Sequence, residues 1–133
     1  MIKTILLSLL VCSVVAAQSV ATQNPADEIE KVTVEQLKAM MDKKEKVLVV
    51  DVRNNPANII KGAQVIPLHE LEQKADQLPK NSFIVTVCAC PSEGTSGQAV
   101  RILKAKGFTK VAALKGGQRA WESANYPTEE YKH

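Results

Sequence analysis

The sequence has no surplus of charge of either sign: 17 Lys and Arg stand against 14 Asp and Glu, a formal net charge of +3 over 133 residues. That balance is too slight to hold a polyanion by charge alone, which argues against nucleic acid and a membrane surface as partners. Cysteine is scarce, at three residues, so the fold is not stapled by disulfides; a single domain of this length buries enough core to do without them. No apolar run is long enough to span a bilayer, and no internal repeat or low-complexity tract is present. Apolar residues make up 45% and charged residues 23% of the chain, the shares of an ordinary globular protein, which excludes the fibrous and disordered classes.

What is present begins with a leader. Met1-Ile2-Lys3 precedes an apolar stretch from Thr4 to Ala17, and small residues recur at Val15-Ala16-Ala17 and Ser19-Val20-Ala21. A basic start, a short apolar core and small residues at its end predict a secretory signal over residues 1–21, cleaved after Ala17 or Ala21. Bulky Val11 ahead of Cys12 argues against lipid attachment there. Cleavage removes Lys3, lowering the formal charge from +3 by one to +2, and removes Cys12. The mature chain then carries Cys88 and Cys90 in an exported, periplasmic and oxidising compartment. Residues 22–30 read as a flexible leader, residues 31–127 as the domain and residues 128–133 as a tail.

Within the domain, strand and helix patterns alternate. Lys31-Val32-Thr33-Val34 reads as a short edge strand, and Thr33 with Gln36 as a capping box opening a helix to Asp42. Val47-Leu48-Val49-Val50-Asp51-Val52 is a continuous apolar run, the pattern of a central parallel strand buried on both faces. Asp51 and Arg53 fall at its carboxyl end, where open α/β sheets keep their sites; an internal ion pair or loop-anchoring hydrogen bond is the preferred role for them. Asn54 to Asn58 is loop, Gly62 to Pro67 a turn and short strand, and His69 to Leu78 a helix closed by Pro79. His69, beside Glu70 at a helix start, reads as a surface residue rather than a catalytic base. Lys110 to Leu114 is the last strand, Gly116-Gly117 leads into the last helix, and the lone Trp121 is a core anchor. This alternation predicts a parallel sheet with right-handed crossovers.

The chemistry concentrates between Phe83 and Lys106. Phe83-Ile84-Val85-Thr86-Val87 is a buried strand that stops at Cys88-Ala89-Cys90, and the loop Cys90-Pro91-Ser92-Glu93-Gly94-Thr95 opens into a helix at Ser96. A loop at that place turns backbone N–H groups and the positive end of a helix dipole inward, so a thiolate is stabilised and an anion can be cradled. Such a thiolate attacks a sulfur donor and holds the transferred sulfane sulfur as a persulfide, which a nucleophile then removes. The loop N–H groups and the Thr95 and Ser96 hydroxyls are the candidate stabilisers. The required partners are a small sulfur donor and a thiol or other nucleophilic acceptor, a protein thiol included. No cofactor or metal is called for.

The chain resembles a single-domain rhodanese. The shared pattern adds Asp51-Val52-Arg53, Gly62-Ala63 with Ile66-Pro67, Leu114-Lys115-Gly116-Gly117, Ala120-Trp121 and Tyr126-Pro127 to the cysteine loop, and covers nearly everything from Lys31 to Pro127. The resemblance implies a sulfurtransferase with an α/β fold, a five-stranded parallel sheet flanked by helices on both faces, and Cys90 as the persulfide carrier. The chain is similar to a subset of rhodanese-like domains in its Cys-x-Cys-Pro-x-Glu start. It departs from many members at Asn58-Ile59-Ile60-Lys61, where they carry a Gly-His-Ile segment, and in holding Glu93 but no Arg or Lys in the loop. A carboxylate there opposes both the thiolate and an anionic donor unless it points outward.

Loop length favours Cys90 over Cys88 as nucleophile. Cys88 is then either a small buried hydrophobe or a resolving thiol that attacks oxidised or persulfidated Cys90, although a bridge between residues two apart is strained. The alternatives are therefore a thiol redox or sulfur-carrier module cycling Cys88 and Cys90, and a rhodanese fold without catalysis. Soft-metal capture by Cys-x-Cys ranks low because two sulfurs without a His or Met cluster make an incomplete site. Phosphatase chemistry ranks lower, since Thr95 stands where a phosphate-binding Arg closes the loop.

Overall fold

A computed structural model describes residues 28–90 and 93–133; the predicted signal and most of the leader lie outside them, as do Pro91 and Ser92 of the cysteine loop. Seven strands and four α-helices follow in the order β1 (Lys31–Val32), α1 (Val34–Asp42), β2 (Val47–Asp51), β3 (Asn58–Ile60), β4 (Gln64–Val65), α2 (Leu68–Lys74), β5 (Phe83–Val87), α3 (Gly94–Ala105), β6 (Val111–Leu114), α4 (Gly117–Ser123) and β7 (Thr128–Glu130), with a 3-10 turn at Ala75–Gln77 after α2. Five strands form one sheet in the order β1-β6-β5-β2-β4, every neighbouring pair parallel. Parallel neighbours need crossover connections, which put helices on the faces and bury both sides of the sheet.

The side-chain alternation of each central strand divides the core in two. Val50, Ile84 and Cys88 face one layer with Leu71, Ala75, Ala99, Val100 and Leu103 of α2, the 3-10 turn and α3. Val49, Val85 and Val87 face the other with Val34 and Leu37 of α1 and Trp121 of α4. The one polar side chain in this part of β5, Thr86, is fully buried, and its hydroxyl donates to the Ser96 carbonyl at 2.9 Å. That bond ties the start of α3 to the central strand. The capping box at α1 is formed in both directions: the Gln36 N–H donates to Thr33 Oγ1 at 3.1 Å and the Thr33 N–H to Gln36 Oε1 at 2.9 Å.

Residues 128–133, read from the sequence as a tail, contribute a strand. β7 pairs antiparallel with β3, Ile59 opposite Glu129, giving the backbone beside buried Ile59 and Ile60 a partner. Trp121 steers the chain there, since its Nε1–H donates to the Pro127 carbonyl at 2.9 Å and its ring meets Tyr126 edge-on at 5.0 Å. Thr-Glu-Glu carries no apolar alternation, so nothing in its own composition announces a strand.

Candidate active site

Register aligns the carboxyl ends of β2 and β5, with Asp51 opposite Val87, and the Val52 N–H donates to the Val87 carbonyl at 3.0 Å. Arg53, Cys88 and Cys90 therefore leave the sheet side by side at the middle of its carboxyl edge. Here an open pocket of about 430 Å³ is lined by Val52, Arg53, Leu68, His69, both cysteines and Thr95.

The two cysteines differ in surroundings. Cys88 is 1% exposed and belongs to the core layer under α3; its thiol donates to Ser96 Oγ at 3.5 Å. Cys90 is half-buried, with its sulfur 3.5 Å from the Thr95 hydroxyl. The Thr95 hydroxyl, then the Cys88 side chain and the Thr95 N–H, hold the Cys90 thiol below its usual pKa against the opposing effect of burial. α3 starts at Gly94, two residues earlier than the sequence suggests. Glu93, left-handed at φ 53°, presents its carbonyl to the Gly97 N–H at 2.7 Å, and so Gly94 and Thr95 lie in the first helical turn with N–H groups free of intrahelical partners. Ser96 is fully buried and donates to the Glu93 carbonyl at 3.2 Å.

Glu93 does not face the sulfur as a free charge. It is 7% exposed, accepts the Gly116 N–H at 2.6 Å and pairs with Lys31 Nζ at 2.9 Å. Burial opposes its ionisation, yet the Gly116 N–H, Lys31 and the charge of Lys115 outweigh that and hold its carboxyl below the usual range. The repulsion expected of a loop carboxylate is thus compensated, and Glu93 serves as a tie between the loop, β1 and the turn into α4. The same turn approaches the cysteines through its backbone: the Gln118 N–H donates to the Cys88 carbonyl at 2.9 Å. A Cβ on Gly117, at φ 60°, would lie 2.2 Å from that oxygen. Lys31, Gly117 and Gln118 were not singled out as site residues by the sequence; the Gly116-Gly117 pair is the one local signal that could have drawn attention to the turn.

Asp51, 1% exposed, takes both arms of Arg53, at 2.9 Å from Nε and 2.6 Å from Nη2. Nη2 also donates to the Asn58 carbonyl at 2.7 Å, so the pair fixes the loop after β2. His69 is 68% exposed and stands 3.6 Å from Glu70. Among the described residues, no three His, Cys, Asp or Glu side chains converge as metal ligands, and no helix is long and apolar enough to cross a membrane.

Residues 33–124 match the family of rhodanese-like domains. A protein of Bacillus subtilis named as a candidate sulfur carrier, YrkF, is 34% identical over 100 residues, which cover 72% of this chain. The chain spans about half of that relative, 52% of its length. A sulfurtransferase of Allochromatium vinosum is 31% identical over 103 residues, covering 74% of this chain and 94% of that one. In three dimensions the rhodanese-like domain of an Anabaena protein, solved by NMR, superposes with a TM-score of 0.69 at 29% identity, covering 78% of this chain and 80% of that one. Topology, the loop after the central strand and these likenesses agree: the chain belongs to the rhodanese-like domain family.

Proposed function

We propose that this protein is an exported sulfurtransferase that carries sulfane sulfur as a persulfide on Cys90. The observation that carries the proposal is the contrast between the two sulfurs. Cys90 stands half-buried in an open pocket, its thiol acidified by Thr95, whereas Cys88, at the floor of that pocket, is 1% exposed and packs in the core layer. A thiol made more acidic than usual, with access for a donor, is what nucleophilic attack on sulfur needs. The Cys90 thiolate attacks the outer sulfur of the donor, the donor's S–S bond breaks with its electron pair leaving on the departing group, and Cys90 gains one sulfur. An acceptor nucleophile then takes that sulfur and restores the thiolate. The N–H groups of the first turn of α3 and the Thr95 hydroxyl, which already meet the Cys90 sulfur, would bind the negative charge on the carried sulfur. The names of the relatives from B. subtilis and A. vinosum agree with sulfur carriage and transfer. Export is supported by the basic start and apolar run of residues 1–17.

A second reading, thiol redox cycling of Cys88 with Cys90, is favoured by both side chains lining one pocket. One experiment separates the two. Protein taken from the periplasmic fraction, its amino terminus at Gln18 or Thr22, is incubated with a panel of sulfane donors and weighed, as wild type, Cys90→Ser and Cys88→Ser. A gain of one sulfur, lost in Cys90→Ser and discharged by cyanide, is the expected outcome. Sulfur transfer that survives in Cys90→Ser but not in Cys88→Ser overturns the choice of nucleophile, and a loss of two hydrogens without added sulfur marks the redox module.

A further inference from the structure

The pocket around Cys90 has room for more than a small inorganic anion. Its volume of about 430 Å³ is roughly fourteen times the ~30 Å³ share of a water molecule, and falls in the range of about 300–1,000 Å³ that encloses organic ligands. Val52, Leu68 and Ala89 supply apolar wall. Arg53 is the one Lys or Arg among its described lining residues, and its charge is matched by the buried Asp51 carboxylate at 2.6 Å. His69 also lines the pocket, exposed and 3.6 Å from the Glu70 carboxylate, which answers any charge it carries. What remains for an anion is the amino end of α3, worth about half a unit charge, together with the Thr95 hydroxyl. That suits the single charge on a transferred sulfur. A second negative charge further out would give up part of its water to the apolar wall of Val52 and Leu68, with no cation on the described lining that lacks a carboxylate partner.

Resting on the persulfide role of Cys90, we propose that the donor is a small organic persulfide with an uncharged, partly apolar arm, and that Leu68 sets this preference. The Cys90 thiolate attacks the outer sulfur of R–S–SH, the new Cys90 Sγ–S bond forms as the donor's S–S bond breaks, and RS⁻ departs with the bonding pair. The carried sulfur keeps its proton or yields it to solvent, and the overall oxidation level is unchanged.

The test compares two donors on the full mature protein, following the added sulfur on Cys90 by mass: the persulfide of N-acetylcysteine methyl ester, released in situ, and thiosulfate. Each rate is divided by the same donor's rate with free cysteine to remove intrinsic reactivity. The ester persulfide is expected to lead by at least tenfold. Leu68→Arg, which places a free cation in the wall, is expected to raise the thiosulfate rate several-fold and lower that of the ester; Leu68→Ser is expected to raise the KM of the ester more than it changes kcat. Normalised wild-type rates within threefold of one another, or thiosulfate ahead, overturn the donor assignment while leaving the persulfide role standing. Failure of both donors to load Cys90 takes down the persulfide role, and this assignment with it.

Discussion

Gly117→Ala tests how the turn into α4 is fitted against the cysteines. An added Cβ lies 2.2 Å from the Cys88 carbonyl oxygen and 3.2 Å from its carbon, and ordinary contact begins at 3.4 Å. Relief therefore needs a separation 1.2 Å larger, the difference between 3.4 and 2.2 Å. Both neighbours are backbone, so no side-chain rotation supplies it. The turn must retreat, stretching the 2.9 Å bond from the Gln118 N–H to Cys88 and the 2.6 Å bond from the Gly116 N–H to Glu93. A left-handed residue with a Cβ costs about 1–2 kcal/mol and overpacking about 1–3 kcal/mol, so the expected loss is about 2–5 kcal/mol out of a typical total of about 5–15 kcal/mol. Gly62→Ala is the control: Gly62 is also left-handed, at φ 83°, with nothing within 4 Å of an added Cβ, so it carries the backbone cost alone. Urea unfolding followed by the fluorescence of the single, fully buried Trp121 reads the difference, and the alkylation rate of Cys90 at neutral pH reads the site. Gly117→Ala is expected to be the less stable by about 1–3 kcal/mol and the slower to alkylate. Equal stability of the two variants refutes the close approach.

Thr95→Val removes the largest influence lowering the Cys90 pKa. Because that shift is downward, the thiolate persists to lower pH in the wild type, and the variant's alkylation profile is expected to move to higher pH; Thr95→Ser should restore it, and coincident profiles for all three proteins would sink the assignment. Glu93→Gln acts on stability. The folded carboxyl pKa is depressed, so the carboxylate's contribution is present above the ordinary carboxylate pKa and is lost as pH falls through the folded value. The variant should be less stable at neutral pH by about 1–3 kcal/mol, with the gap closing in acid. Denaturant midpoints measured across that range give the check, and a gap that stays constant with pH contradicts the ion pair.

The central strands were legible because their signal is local: Val47–Asp51 and Phe83–Val87 are continuous apolar runs, as a strand buried on both faces demands. The capping box of Thr33 and Gln36 was legible for the same reason, its partners lying three residues apart. Sheet and helix layers followed from the alternation of such segments. What escaped depends on partners distant in sequence. Glu93 reads alone as a repulsive charge in the loop; its meaning changes once Lys31, 62 positions away, and Gly116, 23 positions away, are folded against it. The left-handed turn at Glu93 starts α3 at Gly94, and non-glycine residues seldom advertise that conformation. β7 owes its existence to β3 and to the Trp121 anchor on Pro127, not to its own residues.

The Lys31–Glu93 tie makes the sulfur site a reporter of complete folding. Its cation comes from a two-residue edge strand at the start of the domain, its N–H from the turn into the last helix, and its carboxylate from the loop between the central strand and α3. The loop therefore reaches its final charge state only when sequence-distant elements have docked. Short edge strands are among the first parts of a fold to open, so one of the two short edges of the sheet sits in the wiring of the cysteine loop. The amides of Ala113 and Lys115, which donate to the Glu30 and Val32 carbonyls at 2.8 Å, are where hydrogen exchange reads that opening. A fluctuation at residue 31 exposes a carboxylate in the loop three residues from Cys90.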